Sequence, residues 1–309
     1  MPLTPTRKIW MDGELVDWDD ARIHVLNPTL HYGWGVFEGI RAYATGSRGP
    51  AVFRLTEHIE RLFRSAHIYF LEPAWTVAEI VAATKDLVRV NEVESCYIRP
   101  LMYLGYGEMG LNPLPSKTNV MVACWPWGTY LGDEAEANGV RARVSSWQRL
   151  GLNTIPPAGK GTGQYVNSSL AKVEALKAGY DEAIMLTPSG NVAEGSGENL
   201  FVVSRGVLYT PPVVDGVLAG LTRDAVMTFA RDEGIEVVER SIVRSDLYLA
   251  DEVFCTGTAA EVVPMVEIDD RRVGTGTPGP VTRRMVELYR QAVTGRLDRY
   301  KMWNEYVRD

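Results

Sequence analysis

The sequence predicts an α+β fold in two domains. Strand-like and helix-like segments are mixed along the chain rather than alternating strictly, which is the pattern of an α+β protein. The 309 residues can bury a full core, and such a length favours two domains or one large one. A stretch rich in Trp and Pro, Trp125-Pro126-Trp127-Gly128-Thr129-Tyr130, reads as a connector and places a domain boundary near 125–136.

The elements follow in order. Residues 8–18 read as a hairpin, Ile9-Trp10 and Leu15-Val16 flanking the turn Met11-Asp12-Gly13-Glu14. Strands are predicted over 36–43 and 51–54 around the turn Gly46-Ser47-Arg48-Gly49-Pro50. Thr56 is a candidate cap for a helix over 57–70, with Ile59, Leu62, Phe63 and Ala66 on one face. A second helix spans 76–91, and apolar strands follow at 95–104 and 118–125. Beyond the connector, strands are expected at 140–147, 182–187 and 199–204, and helices at 166–178, 222–234 and 279–294.

Bulk properties narrow the function. The chain is 46% hydrophobic and 23% charged, as ordinary soluble domains are. A formal charge of -7 with no run of Lys or Arg argues against nucleic acid or an anionic membrane as main partner. No apolar stretch reaches the ~18–20 residues of a membrane span, and the N-terminus has no secretory h-region. Cys96, Cys124 and Cys255 form no C-x-x-C, so neither a metal site nor a disulfide framework is expected, and a reducing cytoplasm fits.

Two motifs mislead. Gly105-Tyr106-Gly107-Glu108-Met109-Gly110 matches the dinucleotide-binding glycine pattern, but Asn112-Pro113-Leu114-Pro115 forbids the helix that must follow. Gly159-Lys160 resembles a P-loop end, yet Thr154 and Gly161 stand where that motif needs Gly and Ser or Thr.

Lys160 is different from the other lysines. It lies in Pro156-Pro157-Ala158-Gly159-Lys160-Gly161-Thr162-Gly163, where no helix can form, and the glycines leave room near the ammonium for something planar. An amine of this kind can attack a carbonyl once burial or a neighbouring cation favours its neutral form. Taken alone, the lysine also reads as a solvated loop residue. Glu194, in Glu194-Gly195-Ser196-Gly197-Glu198-Asn199-Leu200-Phe201, supplies a carboxylate that would need a cation or donor if buried, and a protonated pyridine nitrogen is one such partner. A turn glutamate that caps the next strand fits it as well. Two glycine–threonine turns offer backbone donors for a phosphate: Gly220-Leu221-Thr222 at a helix start, and Gly257-Thr258-Ala259-Ala260-Glu261, where Thr258 and Glu261 have capping-box spacing. Arg61 would add a bidentate charge.

Together these residues resemble the class IV (fold type IV) pyridoxal-phosphate aminotransferases, and within them the branched-chain amino acid branch. The resemblance covers nearly the whole chain. It includes His31-Tyr32-Gly33, Val36-Phe37-Glu38-Gly39-Ile40-Arg41, His58-Ile59-Glu60-Arg61-Leu62, Tyr97-Ile98-Arg99-Pro100-Leu101, the lysine loop, the run from Glu194 to Phe201, Gly220-Leu221-Thr222-Arg223-Asp224, Leu249-Ala250-Asp251-Glu252-Val253 and Gly257 to Glu261.

The resemblance implies a small α/β domain over 1–124, a connector over 125–136 and a larger domain over 137–309 with a barrel-like sheet, with pyridoxal 5'-phosphate between the domains. Lys160 would hold the cofactor and move the proton. Tyr165 would bond its ring oxygen and Glu194 its ring nitrogen, and Arg61, Gly220, Leu221, Thr222 and Thr258 would surround the phosphate. Phe37, Gly39, Tyr165 and Ala259 would line the side-chain pocket. Tyr97 and Arg99 would hold the substrate carboxylate, with backbone donors at Ala259 and Ala260. Tyr32, Leu111 and Tyr130 would close over the site, partly from a neighbouring subunit of a homodimer or larger homo-oligomer. The implied reaction is transamination of Leu, Ile and Val with 2-oxoglutarate in the cytoplasm. Same-fold D-amino acid or (R)-amine transaminases and aminodeoxychorismate lyase are the alternatives. Glu108 departs from the branched-chain pattern, which usually has Gly there.

Overall fold

The computed structural model describes residues 3–128, 131 and 134–308, the side chain of Ser47 excepted. The chain divides into two compact units: Met1–Trp127 with Gly159–Gly163 and Gln291–Asp309, and Gly128–Ala158 with Gln164–Arg290. This division differs from the continuous boundaries expected from the sequence. The lysine loop and the last residues pack with the N-terminal unit.

An eight-stranded antiparallel sheet forms the first unit. Its order is Asn304–Tyr306, Pro50–Phe53, Ile40–Ala44, Cys96–Leu104, Thr118–Trp125, Lys8–Met11 and Glu14–Asp17. The expected strand over 36–43 is in fact two strands, Gly35–Phe37 and Ile40–Ala44, both paired with Cys96–Leu104. Between them the Glu38 N–H still donates to the Pro100 carbonyl at 3.0 Å. The break turns Glu38 into the buried interior, where it is 0% exposed.

Two helices, Leu55–Ile68 and Val77–Val90, pack on each other and on this sheet. Leu55, Ile59, Leu62, Ile80 and Leu87 are wholly buried, as are Ile98 and Met102 of the sheet, each such side chain stabilising the unit by about 1.5–3 kcal/mol. Thr76 caps the second helix in a capping box with Glu79. Thr56 does not cap the first: it lies inside the helix, which starts after Arg54 in a left-handed conformation (φ 54°). Its N–H and hydroxyl are instead taken by the Glu305 carboxylate, at 2.6 and 2.9 Å, from the C-terminal strand. A first-turn N–H needs some such partner, and the anion also suits the positive end of the helix.

Ten strands make the sheet of the second unit, in the order Val237–Glu239, Val207–Thr210, Asn199–Ser204, Glu252–Gly257, Glu261–Ile268, Val140–Val144, Glu182–Leu186, Asn191–Gly195 and Ile242–Val243, with Arg271–Arg272 beside Glu261–Ile268. The two ends of this order, Val237–Glu239 and Ile242–Val243, are joined by Arg240 and Ser241 alone. A sheet whose ends are two residues apart in the chain must curl back on itself, so the expected barrel-like form is met. Helices Tyr165–Lys177, Leu221–Asp232 and Pro280–Val293 lie within a residue or two of the expected spans. The capping-box spacing at Thr258 and Glu261 misleads, since no helix starts there. Gly257 pairs with Glu261, and Thr258 to Ala260 form the turn of a hairpin. The strand predicted over 140–147 stops at Val144.

Replacing Glu305 by Ala removes both bonds to Thr56. We expect a loss of about 1 kcal/mol, read as a lower urea midpoint with unchanged slope.

Candidate active site

Lys160 is held by backbone pairing. The Phe37 N–H donates to the Lys160 carbonyl at 3.1 Å, the Thr162 N–H to Gly35 at 2.8 Å and the Gly163 N–H to Gly33 at 3.1 Å. The Lys160 N–H reaches Ser65 Oγ on the Leu55–Ile68 helix at 3.0 Å. The segment thus lies alongside the strand that carries Phe37. Its glycines serve this approach: a Cβ on Gly161 would collide with the Tyr69 ring, and one on Gly163 would lie 3.1 Å from the Gly33 carbonyl. The room that the glycines leave is therefore filled by Tyr69 and Gly33, not kept open beside the ammonium.

Around the lysine the first unit gathers several expected residues. Lys160 Nζ lies 5.2 Å from the centre of the Phe37 ring, and the Arg99 guanidinium stands 4.6 Å from the same ring. Arg99 Nη2 donates to the Tyr97 hydroxyl at 3.3 Å, and Gly39 lies against that hydroxyl. Arg99 Nε is buried without a hydrogen-bond partner among the described residues, so a cationic donor is held where an anionic ligand would satisfy it. The Tyr97 ring packs edge-on to Trp127 at 4.5 Å. From the sequence, Trp127 reads only as part of the connector.

Arg61 is buried and does not stand alone. Its Nε and Nη2 bond the two oxygens of Glu38 at 2.7 and 2.8 Å, and His58 Nδ1 meets Glu38 Oε2 at 2.7 Å. Burial alone would raise the Glu38 carboxyl, but the charge and bonds of Arg61, with those of His58, hold it far below the usual carboxylate range. Burial pushes the His58 ring below its ordinary value, against the pull of Glu38. The bidentate pair fixes the plane of the Arg61 guanidinium. Glu38 and His58 were visible in the sequence only as members of matching runs, and their pairing had no signal there.

In the second unit, three donors converge on Glu194: Arg149 Nη2 at 2.7 Å, the Leu218 N–H at 3.1 Å and Asn199 Nδ2 at 3.3 Å. Arg149, buried and far upstream in the chain, went unnoticed in the sequence. Its Nε has no hydrogen-bond partner among the described residues. Tyr165, the first residue of its helix, lines one cavity with Glu194. Gly220, with no side chain of its own, stands at the cap of the Leu221–Asp232 helix, and Thr222 is buried in its first turn. Thr258 and Ala259 are half-buried and Ala260 is buried in the hairpin turn. Backbone donors remain the feature that this turn offers.

Tyr32 and Leu111 are not gathered with these groups. Tyr32 is 44% exposed beside His31, and Leu111 is 86% exposed in the loop after Leu104. That loop is not helical, as its prolines require, and Glu108 is exposed on it. Tyr130 lies outside the described residues.

Each unit holds its own part of what a phosphorylated pyridine aldehyde needs: in the first, an amine on a pinned backbone and a fixed guanidinium; in the second, a buried carboxylate met by three donors. Removing the Glu38 charge tests the Arg61 support. Glu38→Gln leaves a buried guanidinium half-paired, at an expected cost of about 3–5 kcal/mol. The folded Glu38 carboxyl is depressed, so its stabilisation is full above the unfolded value near 4.5 and is lost as pH falls through the folded value. Thermal melts of the wild type should therefore weaken below that pH, and those of Glu38→Gln should show a flatter acid limb.

Residues 35–268 match the family described as Amino-transferase class IV. A branched-chain-amino-acid aminotransferase of Pseudomonas aeruginosa is 48% identical over 97% of both chains. The crystal structure of the Escherichia coli branched-chain amino acid aminotransferase superposes with a TM-score of 0.95 at 46% identity, covering 98% of this chain and 99% of that one. A branched-chain amino acid aminotransferase from T.th., complexed with N-(5'-phosphopyridoxyl)-L-glutamate, gives 0.94 at 49% identity, with the same coverage. With the match spanning both units and these relatives alike from end to end, the chain belongs to the class IV amino-transferase family.

Proposed function

We propose that this chain is a pyridoxal-phosphate-dependent aminotransferase that moves the amino group of Leu, Ile or Val to 2-oxoglutarate, giving branched-chain 2-oxo acids and L-glutamate. Near-half identity, end to end, to proteins of that named activity carries the reading. The phosphopyridoxyl-glutamate complex of a relative supports both the cofactor and glutamate as partner substrate.

Bound pyridoxal phosphate supplies an aldehyde that captures amines and a ring that accepts electrons. The protein's residues supply the rest. Lys160 Nζ would anchor the cofactor and, once displaced by the substrate amine, would be free to carry the proton of the substrate α-carbon. Its pinned backbone leaves only the side chain to move. Glu194 would accept from the ring nitrogen and Tyr165 would bond the ring oxygen. Arg61, Gly220, Leu221, Thr222 and Thr258 would hold the phosphate. Arg99 and Tyr97 position the substrate carboxylate, with backbone donors from Ala259 and Ala260. Phe37, with Gly39, offers the apolar side chain a dry wall.

The same reading makes the protein a homo-oligomer. The His24 and Tyr106 rings meet tilted, 4.2 Å apart, joining two segments whose Val25, Leu30, Met109, Leu111 and Leu114 are all exposed. The Tyr165–Lys177 helix shows a second apolar stripe, Val166, Leu170, Val173 and Leu176. Self-association would cover both, and Tyr32, Leu111 and Tyr130 would then serve a neighbour's site. No helix among the described residues is long and apolar enough to cross a membrane, and the three free cysteines suit a reducing cytoplasm.

Lys160→Ala should abolish the visible absorption of the bound cofactor and reduce turnover to background. A retained band would remove Lys160 from its role. A donor panel of L-leucine, L-valine, L-isoleucine, D-alanine and (R)-1-phenylethylamine should give turnover with the first three. Activity confined to the last two would overturn the substrate assignment.

A further inference from the structure

Glu198 is the second glutamate of the Glu194-Gly195-Ser196-Gly197-Glu198 run, and nothing in the reaction above uses it. It is 4% exposed. Two glycines on separate strands make space for it: a Cβ on Gly195 would lie 2.8 Å from Glu198 Oε2, and one on Gly257 would lie 3.3 Å from its Cγ. The chain therefore accommodates this side chain at the cost of two others. Its Oε2 accepts from the Gly197 N–H at 3.0 Å. With Glu194, Arg149, Tyr165 and Ser168 it lines a cavity of about 30 Å³, the room of a single water held by polar partners.

Charge is unevenly distributed around it. Glu182 and Glu194 are buried nearby, and each has a cation: Lys172 Nζ at 2.5 Å from Glu182, and Arg149 at 2.7 Å from Glu194. Lys172 also donates to the Asp181 carbonyl. Glu198 makes no ion pair among the described residues. A third buried negative charge without a cation costs several kcal/mol, and a carboxyl so placed keeps its proton instead.

We propose that Glu198 is a positioning residue for Glu194: a buried, neutral carboxylic acid that completes the wall behind it and leaves Arg149 paired to Glu194 alone. Burial, then the Glu182 charge, pushes the Glu198 carboxyl up to about 8, with Lys172 opposing and Glu194 adding to the rise. Burial likewise pushes the Cys255 thiol well up, and the Glu198 and Glu182 charges add to it, so Cys255 offers no charge of its own near neutrality. Ionised, Glu198 would place a second negative charge beside Glu194 in the cavity that Arg149 also lines. The role in catalysis rests on Glu194 meeting the cofactor nitrogen, whereas the neutral state of Glu198 does not.

The sign follows from proton uptake. Between the ordinary value of 4.5 and about 8, the folded chain holds a proton that the unfolded chain has lost. This group's contribution therefore falls as pH rises across that window and levels off above it.

The test uses the wild-type holoprotein, Glu198→Gln and Glu198→Ala. Infrared spectra of the wild type at pH 7 should contain the carbonyl stretch of a buried protonated carboxylic acid, fading as pH passes about 8 and absent from Glu198→Gln. Melting temperature should lose a falling component across the window in Glu198→Gln. The cofactor's visible band should show an inflection near pH 8 in the wild type, absent in Glu198→Gln, and its position at pH 7 should shift in Glu198→Ala but not in Glu198→Gln. No acid carbonyl in the wild type at pH 7, or the same inflection in Glu198→Gln, overturns the proposal. A protein with no visible band at all would instead overturn the cofactor reading, and the infrared and melting measurements would still decide Glu198.

Discussion

Backbone pairing between residues 33–37 and 160–163 is the constraint on which the lysine's position depends. Three main-chain bonds and the Ser65 hydroxyl leave Lys160 only its side-chain torsions. An amine with a fixed root and a mobile tip reaches a limited set of positions, as the proposed proton carrier between neighbouring atoms would need. Proline and glycine before and after the lysine suit this arrangement. They keep it out of any helix and allow backbone and Tyr69 to approach within contact distance.

Buried charge is the second organising theme. Glu38 holds Arg61 and His58, Arg149 holds Glu194, and Lys172 holds Glu182. Such pairs stabilise little beyond what their desolvation costs, so net stability is a poor reason for them. What they provide is direction. A guanidinium gripped at two nitrogens cannot swing, and a carboxylate met by three donors presents a defined edge.

Much of this was legible in the sequence. The Thr118–Trp125 and Asn199–Ser204 strands and most helices fall where the apolar pattern places them, because local hydrophobic runs are what the core buries. Thr56 and the Thr258–Glu261 spacing misled, because a capping pattern is local and the partners were not. Glu305 is 249 residues from Thr56, and Glu261 is claimed by the strand pairing with Gly257. The same limit hid Arg149 behind Glu194 and Glu38 behind Arg61. Residue type reveals that a charge needs a partner, but only the fold chooses it. Glycine gave the clearest example of a correct signal with a wrong cause: the lysine loop does need small residues, for close backbone approach and not for open space.

The C-terminal strand Asn304–Tyr306 lies at the edge of the first sheet, against Pro50–Phe53, and Glu305 completes the start of the Leu55–Ile68 helix. During synthesis the N-terminal sheet therefore emerges long before its last strand. For some 250 residues of translation, the Pro50–Phe53 edge has no strand of its own chain to pair with, and exposed edges recruit other chains. The nascent unit thus spends that interval without the strand that covers this edge in the folded chain.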